Sequence, residues 1–339
     1  MKKKLLKIFA ACAFAAVVFS SCGKKIVKDD YGIYTDLESA LKASKKSGKK
    51  LLLFFTKLED GGLNESLVNG VLHADDYGEK IGAEFETCQI DYSRERFSKK
   101  SENFDEARNE RDMRAAVIYG AESTPAVLIL TKQGYVISNV SYLPAKNVKE
   151  FSDIIEVDRK NIEAMENLLS EIDQAKGVDK VKKIDELYEG TRANYRYQLR
   201  ALSDEVIKLD KKNQSGLVGK HLLARASTKA MDCYLRREPE KAVECYLEPL
   251  QSKFLSVEEK QRSYFAAAYI TGNNSPSVEN SEKIIGYLNA AKDLDPNSPL
   301  AERCRLLLDR QEKILADQKQ TAAKKAAEES GAFDEGDAQ

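Results

Sequence analysis

The spacing of hydrophobic residues changes near residue 159 of this 339-residue chain. Between residues 31 and 158, short continuous apolar runs alternate with stretches in which apolar residues recur every three or four positions. A short continuous run is typical of a strand buried on both faces, and the wider spacing is typical of a helix with one buried face. The pattern predicts the order helix, strand, helix, strand, helix, strand, strand, helix. The four strands are predicted at Leu51–Thr56, Phe85–Asp91, Ala126–Leu130 and Tyr135–Val140.

Residues 159–320 show only the helical spacing. Breaks such as those at Gly177 and Pro239 divide this region into helices of a length that suits antiparallel hairpins. The junction at 208–213 (Lys-Leu-Asp-Lys-Lys-Asn) resembles the one at 293–297 (Asp-Leu-Asp-Pro-Asn), and tetratricopeptide repeats often end a helix with a similar turn. The period of about 34 residues that defines such repeats is absent. We therefore predict an all-α domain of irregular, tetratricopeptide-like helical hairpins, with an unrelated helical bundle as the alternative.

The first 22 residues have the pattern of an export signal. Lysines occupy positions 2–4, an apolar run extends from Ile8 to Phe19, and two serines precede Cys22. The run is shorter than the roughly 20 residues that a membrane-spanning helix needs. The segment resembles a bacterial lipoprotein signal peptide, which implies cleavage after residue 21 and acylation of Cys22. The mature protein would then be held by lipid in the cell envelope, outside the cytoplasm, with residues 22–30 as a tether. A plain secreted protein is the alternative.

Two further segments are predicted to lack a fixed structure. Residues 92–103 carry mixed charges and are predicted to be a mobile surface loop. Residues 321–339 contain little apolar surface beyond alanines and are predicted to be a disordered tail, with a frayed helical start as the alternative for its first residues.

Charge excludes a general affinity for nucleic acid. The chain has 54 basic and 55 acidic residues, and four of the lysines lie in residues 1–21. Without that segment 50 basic and 55 acidic residues remain, a net charge of −5. A mildly acidic protein lacks the positive surface on which phosphate-backbone binding depends.

The cysteines beyond residue 22 form no dense pattern. Cys88, Cys233, Cys245 and Cys304 include no C-x-x-C pair, so a disulfide framework is not expected. Cys233 and Cys245 can pair if their helices are antiparallel neighbours. Otherwise both are expected to be small buried apolar residues.

Three stretches of residues 31–158 resemble the thioredoxin superfamily, a match to somewhat over a third of the chain. The helix at 36–48 leads into the apolar run that ends at Thr56, and a later strand, Phe85–Asp91, ends in aspartate. The most specific stretch is 119–126, Tyr-Gly-Ala-Glu-Ser-Thr-Pro-Ala, which precedes another strand. The resemblance implies an α/β domain with a central mixed sheet flanked by helices. It also implies a cis peptide bond between Thr124 and Pro125, beside a peptide-binding groove.

The chain departs from this family at the position of the reactive cysteines. Active relatives carry C-x-x-C after the first buried strand, where a helix N-terminus stabilises a thiolate. In residues 56–65 the equivalent positions hold Gly61 and Asn64, neither of which can act as a nucleophile. The neighbouring Glu59 and Asp60 would further disfavour a thiolate. Ordinary dithiol exchange is therefore not expected.

No other set of residues predicts catalysis, a metal site or a cofactor. Cys88 lies within a predicted buried strand, where a thiol is inert. The two histidines, His73 and His221, fall in different predicted domains, so they are not expected to form a shared site.

These observations predict a non-enzymatic envelope protein that contacts the bilayer through acylated Cys22 and binds a protein or peptide partner. Two alternatives stay open. One is a diverged thiol-disulfide oxidoreductase that works with a partner's cysteine, and the other is a structural surface lipoprotein.

Overall fold

The computed structural model describes residues 28–101, 104–140 and 145–331. The first part of the chain contains six α-helices and four strands within those residues. Their bounds are α1 Leu37–Ser47, β1 Lys50–Thr56, α2 Gly62–Leu67, α3 Tyr77–Lys80, β2 Phe85–Asp91, α4 Arg94–Phe97, α5 Glu106–Ile118, β3 Ala126–Leu130, β4 Val136–Asn139 and α6 Val148–Val157. A π-helical stretch, Val68–Leu72, continues α2. The predicted strands are thus all present.

The four strands form one mixed sheet in the order β2-β1-β3-β4. β1 is parallel to β2 and antiparallel to β3, and β3 is antiparallel to β4. Leu53 in the middle of β1 pairs with Cys88 of β2 on one side and with Leu128 of β3 on the other. The predicted central mixed sheet flanked by helices is confirmed.

Both faces of the sheet are covered, which explains the continuous apolar run of β1. Leu52 and Phe54 point into a core that contains Phe151 of α6. Leu53 and Phe55, which alternate with them, point into a second core that contains Tyr119. A strand that is buried on both sides has no position for a solvent-facing polar residue.

The rest of the described chain is helical. The helices are α7 Arg159–Gln174, α8 Gly177–Gly190, α9 Arg200–Leu209, α10 Val218–Leu235, α11 Pro239–Leu247, α12 Val257–Gly272, α13 Val278–Leu294 and α14 Pro299–Gly331, with 3-10 turns at Ala193–Leu199 and Glu248–Gln251. Each of these α-helices packs on the next one along the chain. The helices range from 9 to 33 residues, so the predicted helical array is present and its likeness to tetratricopeptide repeats is not confirmed.

The last helix extends into the predicted tail. α14 continues to Gly331, so the helical start of the tail covers residues 321–331, and the rest of the predicted disordered tail lies outside the described residues. Residues 321–331 are rich in alanine, lysine and glutamate, which are strong helix formers, so this segment can extend an existing helix without a core.

The helical region is attached directly to the sheet domain. Asp158 alone separates α6 from α7. Tyr195 from the 3-10 turn is buried in the second core of the sheet domain, and its hydroxyl accepts a hydrogen bond of 2.9 Å from the Asn139 side chain. Arg114 of α5 forms an ion pair with Asp232 of α10. The helices therefore pack on the sheet domain and do not hang from a linker.

The predicted signal peptide (residues 1–21) and the acylation site Cys22 lie outside the described residues, as do most of the tether and residues 332–339. Within 28–101, 104–140 and 145–331, no helix combines the length and the apolar character that crossing a membrane requires.

Candidate functional site

The loop after β1 and the proline before β3 meet at one end of the sheet. β1 ends at Thr56, and a short 3-10 turn, Leu58–Asp60, leads into α2. The peptide bond between Thr124 and Pro125 is cis. A long hydrogen bond of 3.5 Å from the Thr124 hydroxyl to Asp60 Oδ2 joins the two segments. The loop that holds Gly61 and Asn64 therefore touches the segment that holds Pro125.

Gly61 adopts a backbone conformation that only glycine reaches readily. Its φ is 61° and its ψ is −157°, a combination that is essentially restricted to glycine. A Cβ atom at this position would meet no neighbour within 4 Å. The backbone conformation at position 61 therefore favours glycine, and the space available for a side chain does not.

Asn64 has a structural task in the loop. Its side chain is buried, and Oδ1 accepts a hydrogen bond of 2.9 Å from the backbone N–H of Lys57. This bond closes the loop between the end of β1 and the start of α2. At neither of the two positions assigned to the family's cysteines does the chain offer a nucleophile.

Cys88 does not offer a reactive thiol either. It lies in the middle of β2, fully buried in the second core. Burial raises the pKa of its thiol far above the ordinary value, so the reactive thiolate is not populated.

An open groove of about 830 Å³ lies beside the loop. It is acidic, because five carboxylates line it and Arg94 is the one arginine among the described lining residues. The five are Asp29, Glu59, Asp60, Asp91 and Glu95. Such a surplus of negative charge favours a positively charged ligand segment.

Local hydrogen bonds orient the carboxylates of the groove. Glu59 Oε1 accepts from the backbone N–H of Arg94 at 2.6 Å. Asp91 Oδ2 accepts from the Ser93 hydroxyl at 2.6 Å. The backbone N–H of Ser93 also donates to Asp91 Oδ1, at 3.1 Å. Lys57 Nζ lies 2.6 Å from Asp60 Oδ1 in an ion pair, so the groove keeps a surplus of negative charge after Lys57 and Arg94 are counted.

His73 also lines the groove, and its ring stacks on that of Tyr31 with centroids 3.8 Å apart. Burial lowers the pKa of His73, so its ring is neutral at neutral pH. His221 is fully buried elsewhere, between Ser203 and Asp185. The two histidines form no shared site, and no cluster of three metal-binding side chains occurs within the described ranges.

The segment after β2 differs from its prediction. Residues 92–101 were expected to form part of a mobile loop, yet the Tyr92 ring stacks between Phe55 and Phe97. Arg96 forms an ion pair with Asp112 of α5, and their side chains are only 11% and 4% exposed. A buried charge pair of this kind fixes the segment that borders the groove, and sequence charge alone gives no sign of it.

Comparisons with known proteins add two findings. A family model described as an uncharacterised protein C-terminal domain matches residues 217–321, which covers α10 to α13 and most of α14. A solved structure titled DsbH oxidoreductase is similar to 41% of this chain over 94% of its own length, with 14% sequence identity and a TM-score of 0.31. No curated protein matches the chain.

Proposed function

We propose that this chain is a lipid-anchored protein of the cell envelope, and that its thioredoxin-like domain binds a protein or peptide without redox chemistry. Three features support the thioredoxin-like assignment. They are the strand order, the parallel pair β1 and β2 with antiparallel β3 and β4, and the cis proline before β3.

The observation that carries the proposal is the loop after β1. The positions that hold cysteines in active relatives hold Gly61, in a conformation suited to glycine, and Asn64, which is used for a structural hydrogen bond. The groove beside this loop is open and acidic. We infer that the domain has kept the binding edge of its fold, and that the segment it binds is extended and basic.

The helical region would supply a second contact surface. Stacked helical hairpins of the tetratricopeptide type have no chemistry of their own and bind other chains along their exposed faces. Because Tyr195 and Arg114 hold these helices against the sheet domain, a partner could engage both parts at once.

Binding at the groove can be measured with a labelled, lysine-rich extended peptide by fluorescence anisotropy. We expect binding that weakens as salt is added, because the interaction is between opposite charges. The double variant Asp60→Asn, Glu95→Gln should bind several-fold more weakly. The matched control is Glu106→Gln, Glu110→Gln, which removes two exposed charges of α5 outside the groove. Equal binding by both variants, or equal affinity for an acidic peptide, would contradict the proposal.

The redox alternative is tested by the reduction of insulin with dithiothreitol as the electron donor. The rate with the purified protein should equal the background rate. Clear turnover would favour the diverged oxidoreductase instead. The absence of both turnover and peptide binding would favour a structural lipoprotein.

The lipid anchor is tested by fractionation of cells that express the protein. Cys22→Ser should move it from the membrane fraction to the soluble fraction, or leave an unprocessed precursor. Cys12→Ser, which changes a cysteine inside the apolar run, should leave the protein at the membrane.

A further inference from the structure

Two of the free cysteines lie side by side in the helical region. Cys233 near the end of α10 and Cys245 on α11 have their sulfur atoms 4.0 Å apart. The other two described cysteines, Cys88 and Cys304, are fully buried in separate cores. We propose that Cys233 and Cys245 are a redox modification site, which forms an intramolecular disulfide by exchange with a disulfide oxidant.

The sulfurs must move closer together for the bond to form. A disulfide requires about 2.05 Å between them, which is closer than the present 4.0 Å. Ala230 and Ala242 pack around the pair together with Tyr246 and Ile270. Rotation of the cysteine side chains is the movement that would bring the sulfurs together.

The two cysteines differ in solvent exposure, which determines which of them reacts first. Cys245 is only partly buried and lines an open cavity of about 350 Å³ that is formed mainly by α10 and by the 3-10 turn after α11. Cys233 is 6% exposed. An oxidant that enters the cavity therefore meets Cys245 first.

The exchange takes place in two balanced steps. The Cys245 thiolate attacks one sulfur of the oxidant's disulfide, which forms a mixed disulfide and releases the first thiolate. The Cys233 thiolate then attacks Cys245 Sγ, which closes the protein disulfide and expels the second thiolate. The two cysteine protons end on the two released thiols, so the oxidant is reduced by two electrons. Arg236 Nη2 donates a hydrogen bond of 3.4 Å to Cys233 Sγ, so a cationic side chain lies beside the sulfur that attacks in the second step.

The bond is expected to be structural and not catalytic. Burial raises the pKa of Cys245 to about 11, so its thiolate is scarce at neutral pH and repeated exchange is slow. Once formed, the disulfide would join α10 to α11. The inference depends on the positions of these sulfurs and not on the lipid anchor or on the acidic groove.

Peptide mapping tests the proposal on the full wild-type chain. The protein is incubated with oxidised glutathione, its remaining thiols are alkylated, and it is digested with trypsin. Cleavage after Lys229, Arg236, Lys241 and Lys253 yields peptides 230–236 and 242–253, one cysteine in each. We expect these two peptides to be linked after oxidation and separate after dithiothreitol, with Cys88 alkylated in both samples once the chain is unfolded. Alkylation of Cys233 and Cys245 after full oxidation would overturn the proposal.

Variants test the order of the steps. Cys233→Ser should accumulate glutathione on Cys245, because the second nucleophile is missing. Cys245→Ser should give little adduct on the less exposed Cys233, and Cys304→Ser should leave the linked peptides unchanged. Equal adduct formation by the first two variants, with circular dichroism like that of the wild type, would refute the assigned order.

Discussion

Asn64 provides the sharpest test of the loop between β1 and α2. Its buried side chain gives the backbone N–H of Lys57 its partner, at 2.9 Å. Asn64→Ala removes that acceptor and leaves a donor unsatisfied next to a buried strand. The cost of such a group is about 1–3 kcal/mol. We take about 2 kcal/mol, which corresponds to about a 30-fold change in a local opening equilibrium.

Hydrogen exchange measures this change where it occurs. With opening and closing fast relative to exchange, the Lys57 amide should exchange about 30-fold faster in Asn64→Ala than in the wild type. The matched control is Asn69→Ala, because Asn69 is exposed in the π-helical stretch that follows α2. It should leave the exchange of Lys57 unchanged. If both variants exchange like the wild type, Asn64 does not hold the loop, and our explanation for the residue at this position is wrong.

Three other predictions concern charge and oxidation. Asp112→Ala leaves the buried Arg96 without its counter-charge and should lower the free energy of unfolding by about 3–5 kcal/mol, measured with urea, whereas the exposed Glu110→Ala should change it little. The hydrogen bond from Arg159 lowers the pKa of Glu84 below its ordinary 4.5. The ionised Glu84 therefore stabilises the fold fully at pH values above the pKa that it has in the unfolded chain, and this stabilisation is lost as the pH falls towards its lower pKa in the folded state. Glu84→Gln should flatten the pH dependence of the urea midpoint below about pH 5. Oxidation of the proposed disulfide should stabilise the helical region by about 3 kcal/mol, measured by thermal unfolding with and without dithiothreitol.

The strands and the helices that flank them were predictable because their sequence patterns are local. A continuous apolar run such as that of β1 identifies a strand buried on both faces, and the stretch 119–126 resembles a segment of the thioredoxin superfamily. The helical array followed from spacing in the same way. None of these predictions required knowledge of which residues meet across the fold.

The packed segment after β2 was not predictable for the opposite reason. Arg96 and Asp112 look like surface charges in the sequence, and only the fold brings them together in a buried pair. Asp112 lies on a helix whose sequence is mostly polar, so no apolar stripe marked its buried side. Long-range pairing of charges has no local signature, and the border of the groove was therefore missed.

The loop after β1 depends on two of its own residues. Gly61 takes a backbone conformation that another residue would adopt only with strain, and Asn64 holds the loop closed from a buried position. Replacing both residues with cysteine would therefore disturb the loop that borders the acidic groove. The dependence of the loop on these two residues supports the proposal that the groove is a binding surface and not a site of sulfur chemistry.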